Sequence, residues 1–260
     1  MYKILKYSIY DLLRSRWSLV YFSFYLILCF VLLFLNNDVP NAVITIHNVI
    51  VVLTPLIGTI FGVMYYYNSK EFVELLIGQP LKRSSIFLGQ YLGISVSLSL
   101  SLVLGLSIPF AAYGLFSSSE MVNFGLLLMV GVFLTFIFVA IAYNIALRFD
   151  NKIKGFSYAI IVWLLMAVVY DGVLLILLQL YNDYPLAKFA LGATLFNPID
   201  LSRILVILNL DKSAIMGYTG EVFKTFLGTG KGQIVALIAL LSWVIFPCFL
   251  LLKKAGKKDF

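Results

Sequence analysis

The sequence predicts an all-α, polytopic membrane protein, a single bundle of six transmembrane helices preceded by an amphipathic helix. Three observations predict it. Of 260 residues, 62% are apolar and only 12% are charged, against about 25% charged in a soluble domain. Several runs carry almost no charge over the roughly 20 residues needed to cross a bilayer core. The basic residues also segregate to alternate sides of those runs, as cytoplasmic and extracytoplasmic loops do.

Taken in order, residues 1–16 put Ile4, Leu5, Ile9, Leu12 and Leu13 on one side and Lys3, Lys6, Asp11 and Arg14 on another. This predicts an amphipathic helix on the membrane surface. Spans follow at 17–35 and 43–67, the second holding Pro55, Gly58 and Gly62 and ending in Tyr65, Tyr66 and Tyr67, an interfacial aromatic belt. No small-residue cleavage site follows the first span, so a removable signal peptide is not expected.

Residues 68–85, NSKEFVELLIGQPLKRSS, form a charged island between two spans. Asn68 with Glu71 reads as a capping box, and Gly78 followed by Pro80 reads as a stop, giving a short helix over 69–78. Phe72, Leu75 and Leu76 fall on one face with Val73 and Ile77 beside them, while Lys70, Glu71 and Glu74 take the other. Such a helix is too short to span a membrane. It is shaped either to be pushed by an aqueous partner or simply to tidy an interfacial connection.

A third span covers 86–116, where Gly89, Gly93, Ser97, Ser101 and Gly105 recur every four residues and permit close helix approach, dimerisation included. Spans at 121–147, 155–181 and 233–252 follow. Between the last two, residues 182–232 form a mixed segment. Asn197, Pro198 and Asp200 make a strong helix start there. Ile199, Arg203, Ile204, Leu205 and Leu208 continue an amphipathic pattern, and a second short helix over 221–227 is closed by Gly228. These helices are expected to rest on the outer leaflet or to seat an extracytoplasmic protein.

Six spans place fourteen of the nineteen Lys and Arg residues on one side, leaving Lys188, Arg203, Lys212, Lys224 and Lys231 on the other. Both termini and the 69–78 helix are therefore expected in the cytoplasm, and 182–232 outside. The net charge of +7 belongs to this topology and not to nucleic-acid binding. Cys29 and Cys248 lie inside spans, so no aqueous disulfide framework is expected. His47 is the one histidine, which argues against a zinc site. GTGKGQ at 228–233 lacks the first Gly of a phosphate loop, where Thr225 stands, and lacks the Ser or Thr after Lys231. Asp171 is the one acid well inside a span and is a functional candidate by its cost alone, with structural pairing as the preferred reading.

The runs YYYNSKEFVELLIGQPLKRSSIFLGQYLG at 65–93 and NPIDLSRILVILNLDKSAIMGYTGEVF at 197–223 carry a resemblance to the NosY family. These are permease subunits of the nitrous oxide reductase maturation system, within the ABC-2 (type V) exporter class. The resemblance implies a homodimer in the bacterial inner membrane, bound to two cytoplasmic ATPase subunits and to a periplasmic, copper-associated β-helical protein. It implies an ATPase-coupling helix holding Lys70, Glu71, Phe72, Glu74, Leu75 and Leu76. It also implies a periplasmic platform that includes Asn197, Pro198, Asp200, Arg203 and Tyr218. No cofactor is implied in this chain, since ATP and Mg would be bound by the ATPase and copper by the periplasmic partners. Met1, Met64, Met121, Met129, Met166 and Met216 make no close-spaced ladder with His or Cys, so transmitted motion, with no copper passing through the bundle, is the expected role. The alternative is a generic ABC-2 exporter moving a small molecule, lipid or sulfur species. A membrane enzyme is disfavoured because no nucleophile, base or metal constellation is present. A secondary carrier is disfavoured because charged residues are nearly absent from the spans.

Overall fold

The computed structural model describes residues 2–36, 39–79, 81–114, 121–181, 187–209 and 230–256. Every regular element among the described residues is helical: α1 (Tyr2–Leu13), α2 (Arg16–Asn36), α3 (Val39–Asn68), α4 (Lys70–Ile77), α5 (Arg83–Ala112), α6 (Met121–Ala146), α7 (Lys152–Leu164), a π turn (Leu165–Val169), α8 (Tyr170–Leu180), α9 (Ala187–Leu195), α10 (Pro198–Asn209) and α11 (Gly230–Ala255). Six candidate spans result: Arg16–Leu35, Asn41–Asn68, Arg83–Ala112, Met121–Ala146, Lys152–Leu180 and Gly232–Ala255. The chain is a multi-pass, all-α membrane protein.

The spans are not equivalent. Over their most apolar windows, the third and fourth are 61% and 56% buried, whereas the fifth and sixth are 11% and 22% buried. Thus α5 and α6 are central, while α7–α8 and α11 lie at the periphery with most of their side chains outward. The close pairing of α3 with α6 depends on small residues, since a Cβ added at Gly62 would lie 2.7 Å from the Ala142 Cβ. Two large apolar clusters fill the bundle, beside a small third of Val63, Ala142 and Ala159. One joins α1 to α6 with the end of α11; the other gathers α9, α10 and α11 around α3 and α6.

The small-residue stripe of α5, which permits close approach of a helix from either the same or a second chain, is occupied within the chain. Gly89 faces Ile4, Gly93 faces Ser8 and Gly105 faces the Phe22 carbonyl, where an added Cβ would approach to 3.0 Å. Ser101 Oγ and Ser18 Oγ share a hydrogen bond of 3.0 Å in the same seam. In α1, Ile4, Ser8 and Leu12 are buried while Lys6, Asp11 and Arg14 are exposed. The amphipathic pattern thus turns its apolar face onto α5.

The fifth span is interrupted where no Pro or Gly forecasts it. Residues Leu165–Val169 form a π turn closed by the Tyr170 N–H donating to the Leu165 carbonyl, and α8 resumes beyond it. Such bulges leave backbone groups for other partners and mark functional sites often enough to direct attention there.

Candidate functional site

Two places carry the expected functional residues, the α4 ledge and the α9–α10 pair. At the ledge, α3 runs through Asn68 and the chain turns at Ser69 into α4, with the Ser69 N–H donating to Tyr65 O at 2.9 Å and the Val73 N–H to Ser69 O at 2.9 Å. The Asn68–Glu71 capping box is absent. Ser69 holds the N-cap position without a side-chain cap bond, and Gly78 ends α4 in the right-handed region at φ −66°, so no left-handed stop is made. The two side chains serve as struts instead. Asn68 Oδ1 accepts from Lys152 Nζ at 3.1 Å, and Ser69 Oγ accepts from Gln90 Nε2 at 3.0 Å while donating to Tyr66 O. Nearby, the Tyr67 hydroxyl donates to Phe149 O at 2.6 Å. These bonds tie the root of α4 to α5, α6 and α7.

The inward face of α4 is Val73, Leu76 and Ile77, one register away from the Phe72, Leu75 and Leu76 face expected from the sequence. Val73 is 2% exposed, and Leu76 and Ile77 pack against the core. Phe72 leaves that face to stack on Tyr7 of α1, with ring centroids 5.0 Å apart and planes at 27°. Leu75 points away from the bundle at 74% exposure. Glu71 and Glu74 are exposed beside it, and Lys70 approaches Glu74 at 3.9 Å one turn on, an exposed contact that contributes little. The ledge therefore presents one large apolar side chain between two carboxylates. A cleft of about 280 Å³ lined by Tyr7, Asp11, Trp17, Tyr65 and Phe72 separates it from α1.

The α9–α10 pair is built on Asn197. Helices over Phe189–Leu195 and Pro198–Val206 bend by 113°. At the corner Asn197 Oδ1 accepts from the Ile199 N–H at 3.1 Å, satisfying one of the unpaired donors at the start of α10. Its Nδ2 donates to Asp200 Oδ2 at 2.9 Å and to the Met166 carbonyl at 2.7 Å. Met166 lies in the π turn, so the irregular fifth span and the bent pair support each other. Tyr170 OH donates to Ala193 O at 2.6 Å and Trp243 Nε1 to Leu195 O at 3.0 Å, closing the corner from both peripheral spans.

Asp171 is paired with a cation. Arg203 Nη1 donates to Asp171 Oδ2 at 2.5 Å and lies 3.8 Å from Asp200 Oδ1, with the Arg203 and Asp171 side chains 25% and 30% exposed. The pairing offsets the cost of a carboxylate at this depth.

The described part of the expected outer segment packs inside the bundle. Asn197, Pro198 and Asp200 are buried, as are Ile199, Leu201, Ile204 and Leu205, so α10 is wedged against α3, α6 and α11 and does not rest on a leaflet. Apolar residues on every side of Pro198–Val206 leave no amphipathic division to act on. Of the expected contact residues, Arg203 alone stays half-buried, and Tyr218 and the 221–227 helix lie outside the described residues.

No protein-family model matches the chain. It is 24% identical over 260 residues, covering 94% of this chain and 93% of the relative, to a Stutzerimonas stutzeri protein named "Probable ABC transporter permease protein NosY". It is also 24% identical over 233 residues to a Pseudomonas aeruginosa protein of the same name, covering 84% of this chain and 85% of that relative. The similarity to ABC transporter permeases extends over most of the chain and, with the six-span helical bundle, supports an ABC permease role.

Proposed function

We propose that the chain is the permease subunit of an ABC transporter of the nitrous oxide reductase maturation type. In this reading the end of the bundle bearing α4 faces the cytoplasm with both termini, and α9–α10 lies toward the periplasm of a bacterial inner membrane. Two permease chains bind two copies of a separate ATPase, which holds ATP and Mg. A shove on α4 passes through the bundle to a periplasmic, copper-associated β-helical partner that serves assembly of the reductase's copper centres. The chain itself is a non-catalytic relay.

The observation that carries this reading is the division of labour along α4. Val73, Leu76 and Ile77 anchor it, while Leu75 stands exposed between Glu71 and Glu74. A helix so short is held by tertiary packing and not by its own propensity, so force on its outer face passes directly to α3, α5 and α1. The small-residue seams of α5 with α1–α2 and of α3 with α6 continue that path as close-packed contacts, which shift as units.

The test is Leu75→Asp in the full chain with its ATPase partner co-expressed. The expected result is loss of ATPase co-purification and of copper-loaded reductase, with membrane insertion and thermal midpoint unchanged. An ATPase that remains bound to this variant overturns the assignment of α4. Normal reductase maturation without the permease, together with small-molecule flux into vesicles holding only permease and ATPase, moves the chain to the generic exporter class.

A further inference from the structure

The peripheral spans α7 and α11 flank α6 and leave between them a groove of about 490 Å³. Ile145 lies on its floor, Val162 and Phe246 line its walls, and Arg148 and Lys254 stand at the end of the bundle that also holds α4. Along α11 the groove runs from Lys254 to Trp243, eleven residues and about 16 Å at 1.5 Å per residue. That depth is about one leaflet of a bilayer whose hydrocarbon core is roughly 30 Å thick.

Both cations line this one groove. Lys254 Nζ donates to the Asn144 carbonyl at 3.3 Å, and Arg148 lies over the Phe149 ring at 6.0 Å. Asp150 sits on the side of Tyr66 and Tyr67 and does not line the groove. Holding two like charges together at a nonpolar cleft costs energy unless an anion joins them. Asn144 supplies a second, independent feature. It lines the same groove at 8% exposure and spends its Nδ2 on Ala140 O and Pro247 O, yet its Oδ1 has no donor among the described residues.

We propose that this groove binds one anionic glycerophospholipid from the leaflet on the α4 side. Its phosphate sits between Arg148 and Lys254, its headgroup hydroxyl reaches toward Asn144, and an acyl chain lies over α6 toward Trp243. Charge selects this occupant over a second copy of the chain, because a twofold contact here would bring another Arg148 and Lys254 to the same mouth. Basic clefts between spans on the cytoplasmic side suit anionic headgroups.

The test uses the full chain in neutral detergent, titrated with phosphatidylglycerol or phosphatidylcholine and followed by native mass spectrometry and thermal midpoint. One phosphatidylglycerol per chain is expected to bind and raise the midpoint, and phosphatidylcholine to do neither. The double variant R148Q/K254Q is expected to bind phosphatidylglycerol about 30-fold more weakly, from two charge contacts near the membrane surface. Ile145→Trp, which fills the groove and keeps both cations, is expected to lose binding as well, with Leu250→Trp serving if that variant does not fold. Unchanged affinity in the groove-filling variant overturns the proposal, as does equal stabilisation by glycerol phosphate or by phosphatidylcholine. A dimer contact through the groove that excludes lipid overturns it too.

Discussion

Asn197 of the bent pair donates its side-chain N–H to the carbonyl of Met166 at 2.7 Å, so one amide stitches the start of α10 to the π turn of the fifth span. Asn197→Ala removes that bond, the cap on Ile199 and the bond to Asp200 together. The expected cost is about 2 kcal/mol, a typical sum for a lost cap and an orphaned buried carbonyl. Thermal unfolding of the detergent-solubilised chain measures it; Asn197→Asp keeps the cap acceptor but loses both the Met166 and Asp200 bonds and sets a second carboxylate beside Asp200, so it should not recover stability.

The Arg203–Asp171 pair gives a second test. Arg203→Gln leaves Asp171 and Asp200 without their cation and is expected to lower stability by about 2 kcal/mol, as for a charged hydrogen bond. Adding Asp171→Asn to that variant should restore part of the loss, because it removes the carboxylate left uncompensated. A double variant as unstable as the sum of the singles contradicts the pairing.

Along α5, Gly93 admits Ser8 of α1 at a distance no side chain tolerates. Gly93→Leu is expected to lever α1 away and to cost about 1–3 kcal/mol, the usual range for overpacking. Cysteines placed at Tyr7 and Phe72, whose rings stack at 5.0 Å, should be bridged by a bismaleimide crosslinker in the parent chain and far less once Gly93→Leu is added.

On α4, two neighbouring positions should behave oppositely. Val73→Ala, at a buried site, is expected to destabilise the chain by about 1–2 kcal/mol, since two methyl groups leave a packed interior. Leu75→Ala, at an exposed site, should shift stability by less than about 0.5 kcal/mol and weaken ATPase co-purification. Equal thermal effects at the two positions would show the inward face to be misassigned.

The number and order of the six spans were legible from local pattern, because a run of apolar residues long enough for a bilayer has one stable conformation there; the short helix Ala187–Leu195 was not. The short α4 was legible too, but not its register. Phe72, Val73, Leu75, Leu76 and Ile77 are all apolar, so periodicity alone admits two faces, and the Tyr7 ring of α1 chooses between them by taking Phe72. Likewise Asn68 and Glu71 have the spacing of a capping box, yet Lys152, 84 residues away, claims the Asn68 side chain.

What the sequence determined by itself is the solvent of each segment: which stretches belong in lipid, which carry charge, and where Asn197–Pro198 starts a helix. Tertiary structure decided which surface each helix spends on its neighbours. It gave the α5 glycines to α1 and α2, buried α10 in the bundle, broke the fifth span at Leu165–Val169 and joined Asp171 to Arg203. The physical reason is that hydropathy is a property of single residues, whereas a seam, a strut or an ion pair exists only when two distant segments arrive at the same place.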